Sequence, residues 1–426
     1  MTERMAGPGD PLLHNEQKQT LQKELSHAGD LVFELQSRLT AFKALGPDNG
    51  GSGEQEKADF LEGWLRSAGV DDICHVDAPD SRVPSGRRPN LIVRIPGRSS
   101  RTLWILGHMD VVPAGEASLW TSDPWTVVRA PGDPDLIIGR GVEDNQQAVV
   151  CGCILAAALK KLDITPDLGL GLIFVSDEES GNTHGIHHIF REKPDLVREG
   201  DLVLVPDSGS EDGDFIEVAE KGILWLKVTV KGRQSHGSRP DDGKNALVAA
   251  AGMILGCAEM EHSFPERNAL FSPARSTFTP TRHEANVPNI NTMSGQEIFY
   301  IDCRVLPCYT LEEVIEAFRR LGKTKAERYG VEILVEPVMS EPAASPTPED
   351  STVVCSLKRA VREVLGRDCR CGGVGGSTVA VSFRGRGIPA AVWSRILENC
   401  HAPNESARIS FALDDVKVYA HMLFTG

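Results

Sequence analysis

The stretch Gly107-His108-Met109-Asp110-Val111-Val112-Pro113 sets an imidazole and a carboxylate two residues apart. It follows the apolar run Leu103-Trp104-Ile105-Leu106, which reads as a buried strand delivering His108 to its carboxyl end. Open α/β sheets keep their ligand sites at that end. Taken alone, a His-x-Asp is ordinarily just a histidine in a turn. Here other acidic and imidazole residues stand where further apolar runs stop. Asp144 lies in Gly139-Arg140-Gly141-Val142-Glu143-Asp144-Asn145, between a short strand and a helix. Asp177-Glu178-Glu179 come after the run Leu170 to Val175, and Asp207 after Leu202 to Val205. His401, in Cys400-His401-Ala402-Pro403-Asn404-Glu405, comes after Ala390 to Trp393. Two histidines and three carboxylates form a mixed nitrogen and oxygen ligand set that suits Zn²⁺, with Co²⁺ or Mn²⁺ as alternatives. A pair of ions needs a bridging carboxylate, and a further carboxylate must take the proton from the attacking water. Glu178 and Glu179 leave a strand end together, so one can face metal and the other can handle protons.

The elements that must position these residues are legible in the spacing. Residues 17–42 have a helical stripe of leucines, and a second helix is expected after Ser52, ending at Gly69. Strands are expected at 90–95, 102–106, 170–175, 202–205 and 390–393, with Ile137-Ile138 leading into the Asp144 motif. Helices are expected at 145–161, 351–365 and 413–423. Strands alternating with helices predict an α/β layer architecture. The pattern changes after Val218. Strands at 224–230, 299–303 and 331–335, with helices at 245–260 and 311–321, predict an α+β insertion whose sheet faces solvent on one side. The Pro-rich 341–348 stretch reads as a linker. The expected organisation is a catalytic domain over 1–219 and 339–426, interrupted by a lid domain over 220–338.

Taken together, these motifs resemble the co-catalytic di-zinc metallopeptidase family that contains acetylornithine deacetylase, succinyl-diaminopimelate desuccinylase, glutamate carboxypeptidase, peptidase T and carnosine dipeptidase. The likeness runs in order from Gly107 to His401. It implies a zinc-peptidase-like three-layer α/β main domain with an inserted α+β lid and dimerisation domain. It implies two divalent metals, with His108 and Asp207 on one, Glu179 and His401 on the other, and Asp144 bridging. Glu178 would be the general base and later the proton donor, and Asp110 would orient His108. Ser235-His236-Gly237-Ser238-Arg239-Pro240 is similar to the family's lid motif, whose histidine stabilises the oxyanion, often in the partner subunit's site. Asn286 and Arg304 resemble lid residues that bind substrate, and Gly375-Gly376 resemble a substrate-contacting loop. The bridging motif often continues Asp-Lys-Gly, whereas here it continues Asn145-Gln146-Gln147. The glycine loop also departs from the family's usual form, running Ser377-Thr378-Val379-Ala380.

The bulk properties agree with this reading. The chain has 426 residues, enough for two or three domains, and its 41% hydrophobic and 25% charged content is that of a soluble globular protein. A net charge of −15 argues against nucleic acid as a partner. No apolar run is long enough to span a membrane, and the first residues have no apolar signal region. The first dozen residues read as a tail. Ten cysteines without a paired CxxC frame suggest reduced thiols and a cytoplasmic location. His184, His187 and His188 carry no HExxH pattern and read as structural. The glycines at 372–376 lack the Lys-Ser/Thr of a P-loop.

The expected function is hydrolysis of an amide bond in a small amino-acid-derived substrate. Under the resemblance, Asp at position 207 favours a dipeptidase or aminopeptidase over a deacylase. The alternative is an N-acyl-amino-acid deacylase of the acetylornithine or succinyl-diaminopimelate type. A non-catalytic small-molecule-binding relative is the third reading, disfavoured because no expected ligand is missing. The expected partners are thus a dipeptide or N-acyl amino acid and a second copy of the chain.

Overall fold

The computed structural model describes residues 11–424, so most of the expected N-terminal tail lies outside the described residues. The chain divides into two compact units. One holds the residues up to Val218, then Thr347–Cys371 and Thr378 onward; the other holds Ala219–Pro346 with Gly372–Ser377.

The first unit is built on a mixed sheet of eight strands. Their order is Ile73–His75, Leu91–Ile95, Gly169–Val175, Thr102–His108, Leu202–Ser210, Ala390–Arg395, Phe215–Glu220 and Arg370–Val374. Its four middle strands run parallel, from Gly169–Val175 across to Ala390–Arg395. Thr102–His108 and Gly169–Val175 are apolar almost throughout and are buried on both faces, as parallel strands under two helical layers must be. Alternation divides their side chains between the faces. Trp104, Leu106, Ile173, Val175, Val203 and Val205 pack with Ile189 and Phe190 of the helix Ile186–Glu192 and with Phe383 of Ala380–Arg384. The other face carries Gln146–Lys161 and Ile409–Met422, backed by Pro11–Ser26, Gly29–Ala41 and Thr352–Leu365. Helix Gln146–Lys161 sits close to the sheet at Gly107, where an added Cβ would come within 3.0 Å of Val149 and of Asn145.

Several expectations need correction. The single helix over 17–42 is two helices, broken at His27-Ala28. The backbone there tightens to three-residue hydrogen bonds, and Gly29 packs on Ile409. The helix expected after Ser52 is present, over Gln55–Ser67. Asp207 does not follow its strand but lies inside it, because Leu202–Ser210 continues past Pro206 beside Ala390–Arg395. Ile137-Ile138 belong to a separate small sheet, where Asp133–Ile138 pairs with Val128–Ala130 and Ser406–Arg408.

The second unit has an antiparallel sheet ordered Thr277–His283, Gln296–Val305, Gly222–Lys231 and Glu332–Glu341. The boundary expected at 338 falls inside the last of these strands, whose ladder to Gly222–Lys231 continues as far as Glu341. Helices Ala246–Ser263 and Leu311–Tyr329 cover one face around Leu226, Val228, Phe299, Ile301 and Phe318. Helix Leu311–Tyr329 opens with a capping box between Thr310 and Glu313 and stops at Gly330, whose φ of +63° suits glycine. The strand Gln296–Val305 alternates buried and part-exposed residues, so the uncovered face meets solvent at positions such as Trp225.

Candidate metal centre

Parallel strands bring their carboxyl ends to one edge of the main sheet, and the polar residues collect there. His108 is the last residue of Thr102–His108, and Glu178 and Glu179 form a short turn beyond Gly169–Val175. Asp144 precedes helix Gln146–Lys161, and His401 sits in the loop after Ala390–Arg395 with φ +63°.

Asp144 occupies the middle. Its Oδ1 lies 2.8 Å from His108 Nε2, and its Oδ2 lies 3.0 Å from His401 Nε2. His108 Nε2 is also 3.7 Å from Asp207 Oδ1, and His401 Nε2 is 3.2 Å from Glu179 Oε2. Two triads result, His108–Asp144–Asp207 and Asp144–Glu179–His401, each with ligand atoms within 4.8 Å of one another. Each oxygen of the shared carboxylate faces a different triad, which is what a bridging ligand requires.

The tautomer of His108 follows from its neighbours. Nδ1 lies 3.0 Å from the Asp110 carbonyl oxygen and donates to it, so Nε2 is the nitrogen that faces Asp144 and Asp207, donating to them when the ring is protonated and free to offer its lone pair to an ion when it is not. The Asp110 carboxylate is 3.5 Å from the same Nδ1. It also accepts the backbone N–H groups of Glu178 and Glu179 at 3.1 and 3.0 Å. Asp110 thus fixes both the ring and the turn bearing the two glutamates.

The electrostatics follow from burial and crowding. Burial pushes the Glu178 carboxyl well above the ordinary range, and the charges of Asp207, Glu179 and Asp110 add to this against the opposing effect of His108. Burial, with the charge of Asp144, pushes Glu179 up to about 7. Hydrogen bonds to Asp144 and Glu179 raise His401 to about 10. Burial works against a charged His108, but hydrogen bonds to Asp110, Asp144 and Asp207 outweigh it and raise the ring. Carboxylates held this close without a counter-charge repel, and divalent cations relieve that repulsion. The N/O donor set, His108 Nε2 directed at Asp144 and Asp207, and the divided Asp144 carboxylate therefore fit metal ions, which would take the place of the ring proton.

The sequence reading missed Asn145. Its amide accepts from His108 N at 3.3 Å and donates to Asp207 Oδ1 at 2.7 Å, tying two ligands together. Its place directly after Asp144 was the available signal. Gln147, one of the motif's departures, is absorbed into a buried network. Its amide donates to Ser394 Oγ, the Arg395 carbonyl and Asp415 Oδ2 at 2.8–3.1 Å. His184, read as structural, binds Asp177 Oδ2 through Nδ1 at 2.9 Å.

The remaining residues singled out in the sequence lie in the second unit. His236 Nδ1 accepts the Ser238 N–H at 3.1 Å, which puts the ring proton of the neutral form on Nε2, facing outward as a donor. Arg304 is engaged by Asp302, at 2.7 and 2.9 Å, and by the Gly375 carbonyl at 2.8 Å. Asn286 donates to Glu297 Oε1 at 2.6 Å. Gly375 and Gly376 have open space where a Cβ would stand.

Comparison with known proteins bears on what such a centre does. Residues 104–425 match the pattern of peptidase family M20/M25/M40. The chain is a member of that family. An uncharacterized metallohydrolase of Methanocaldococcus jannaschii is 35% identical over 412 residues, 92% of this chain and 100% of the relative. A succinyl-diaminopimelate desuccinylase of Sulfurovum sp. is 24% identical over 89% of this chain and 94% of its own length. Among solved structures, the dipeptidase Dug1p of Saccharomyces cerevisiae superposes with a TM-score of 0.75 at 16% identity, covering 96% of this chain and 98% of that one. This M20-family chain is thus a metal-dependent hydrolase on the family's α/β fold.

Proposed function

We propose that the chain is a di-metal amide hydrolase acting on a dipeptide-like substrate. The observation that carries this is the division of the Asp144 carboxylate between two triads, with Glu178 in the adjoining turn. His108 and Asp207 would hold one ion, Glu179 and His401 the other, and Asp144 both. When bound, divalent zinc, or cobalt or manganese, supplies Lewis-acid polarisation of the scissile carbonyl and a water of lowered pKa. Glu178 takes the proton from the attacking water and returns it to the leaving amine. Its raised affinity for protons suits both duties. His236 offers Nε2–H to the oxyanion, in its own or the partner's site. Asn286, Arg304, Gly375 and Gly376 are assigned to substrate; Arg304 would offer its guanidinium to a substrate carboxylate in place of Asp302.

Asp207 and the fold shared with a dipeptidase support the peptidase reading. The desuccinylase relative supports the alternative, N-acyl-amino-acid deacylation. A homodimer fits the outer face of helix Ala246–Ser263, which exposes Leu247, Val248, Ala251, Leu255 and Ala258 in one stripe, with Leu255 73% exposed. Ten unpaired cysteines support a reducing, cytoplasmic location. The test is hydrolysis of a panel of dipeptides and N-acetyl- and N-succinyl-amino acids by protein loaded with Zn²⁺, Co²⁺ or Mn²⁺, against a chelated control. Metal-dependent release from dipeptides alone supports the first reading. Release from N-acyl substrates alone replaces it with the second.

A further inference from the structure

Asp144 and His401 are 257 residues apart in sequence, and their neighbours exchange carboxylates. Glu143 sends its side chain into the His401 loop, where Oε2 accepts the Leu397 N–H at 2.5 Å and Oε1 accepts the Asn399 N–H at 2.9 Å. Glu405 sends its side chain the other way. Its Oε1 accepts the N–H groups of Glu143 and Asp144 at 3.0 and 3.1 Å. Arg140 closes the exchange, with Nη1 on Glu405 Oε2 at 2.6 Å and Nη2 on the His401 carbonyl at 3.2 Å. Glu405 is fully buried, Arg140 is 1% exposed and Glu143 is 5% exposed. Each segment thus has two backbone N–H groups held by a carboxylate from the other.

We propose that Glu143, Glu405 and Arg140 form a reciprocal clasp of positioning residues that sets Asp144 against His401. The clasp thereby governs the affinity of the Asp144–Glu179–His401 triad for its ion more than that of the His108–Asp144–Asp207 triad. The asymmetry follows from connectivity. The clasp fixes two of three ligands in the first triad but only the shared Asp144 in the second. In the second triad, Asn145 separately ties the His108 backbone to Asp207. Carboxylates suit the task because both oxygens accept: Glu143 gives one to each of its two N–H groups, and Glu405 gives Oε1 to its two N–H groups and Oε2 to Arg140, whereas an amide has a single acceptor oxygen. Replacing Glu143 by Gln therefore turns an NH₂ group against one of those N–H groups and releases half of the loop.

The inference rests on the two-metal reading, and the experiment separates the two. Bound zinc is measured by elemental analysis across a series of buffered free Zn²⁺ concentrations, together with the Tm of the metal-free protein. Wild type should bind two equivalents and Asp144→Ala should lose affinity for both; failure of either sinks the two-metal reading itself. With that in place, Glu143→Gln and Glu405→Gln should each weaken one equivalent by about 10–100-fold, as loss of partners behind metal ligands does, and the other by much less. The double variant should be no worse than the poorer single one, since either change opens the same clasp. Arg140→Lys keeps a charge on Glu405 but loses the fork to the His401 carbonyl. It should show the same split more mildly, and it carries the test if a glutamine variant does not fold. Glu217→Gln, at the buried pair with Arg384, serves as the stability control. It should lower Tm without splitting the two affinities. Unchanged zinc affinities, or equal weakening of both, would overturn the clasp.

Discussion

At the scale of single residues, the centre separates holding metal from moving protons. Glu178→Gln removes the proton carrier and leaves both triads intact. It should lower kcat by about 10²–10⁴-fold, the usual worth of a positioned acid–base group, with zinc content unchanged. A variant that lost zinc along with activity would place Glu178 among the ligands instead. Asp110 makes a different prediction. Asp110→Asn keeps the carbonyl that fixes the His108 tautomer but turns an NH₂ group toward the N–H of Glu178 or Glu179. Its loss should therefore fall mainly on kcat, through the displaced glutamate turn. Equal losses in zinc affinity and kcat would contradict this division.

At the scale of elements, the strands Leu202–Ser210 and Ala390–Arg395 must lie side by side for Asp207 and the His401 loop to share an edge. Gly209 permits this approach, since a Cβ there would stand 1.9 Å from the Ser394 carbonyl oxygen. Gly209→Ala should destabilise the protein by about 3 kcal/mol, the upper end for overpacking, read as a fall in the denaturant midpoint. An unchanged midpoint would mean the two strands can separate at no cost. On the outer stripe of Ala246–Ser263, Leu255→Asp should convert a dimer to a monomer in light scattering and leave the helix content intact.

The elements also show what a sequence can and cannot disclose. His108, Glu178 and Glu179 were legible because an apolar run stops beside each, and the period of that run is set by burial alone. The break at Ala28 was not legible. The leucine stripe continues through it, and Gly29 lies against Ile409 and Leu413, residues distant in sequence that no local pattern brings there. Asp207 was placed outside its strand because the apolar run stops at Val205; the parallel partner Ala390–Arg395 carries the strand on through the polar residues to Ser210. Arg140, Glu143 and Glu405 lay inside motifs already singled out. Their roles depend on a contact across more than 250 residues, which no local pattern encodes.

At the scale of the whole molecule, stability against pH should bear the marks of two buried groups that are not among the metal ligands. Burial, with the Lys18 ammonium 3.2 Å away, holds His421 down to about 4. Between that value and the ordinary histidine pKa of about 6.5, the unfolded chain binds a proton that the folded one does not. Stability tied to His421 is therefore present above about 6.5 and is lost as pH falls toward 4. Burial raises Asp415 to about 7, against its hydrogen bonds from Ser394, Arg395 and Gln147. The folded state keeps that proton where the unfolded one releases it, so this contribution is full below about 3.8 and lost as pH rises through 7. His421→Gln should gain Tm relative to wild type on acidification from pH 6.5 to 4. Asp415→Asn should gain relative to wild type as pH rises from 4 to 7. Melting curves that stay parallel across pH would remove either group from this account. Chelation should lower Tm, and added Zn²⁺ should restore it, because an ion bound only by the folded state stabilises that state.

The main sheet also dictates an order of assembly during synthesis. Leu202–Ser210 and Phe215–Glu220 are neighbours in the chain, yet the sheet leaves a strand-wide gap between them that only Ala390–Arg395 fills. A nascent chain that has emerged through the second unit carries His108, Asp144, Glu179 and Asp207, but not the strand that closes the sheet or the loop with His401. The unit over 219–346 has nearly all of its strands and helices by then and can fold first. Hydrolytic competence is thus withheld until Ala390–Arg395 and the His401 loop have been made, and a chain released before them carries an open sheet edge in place of an active site.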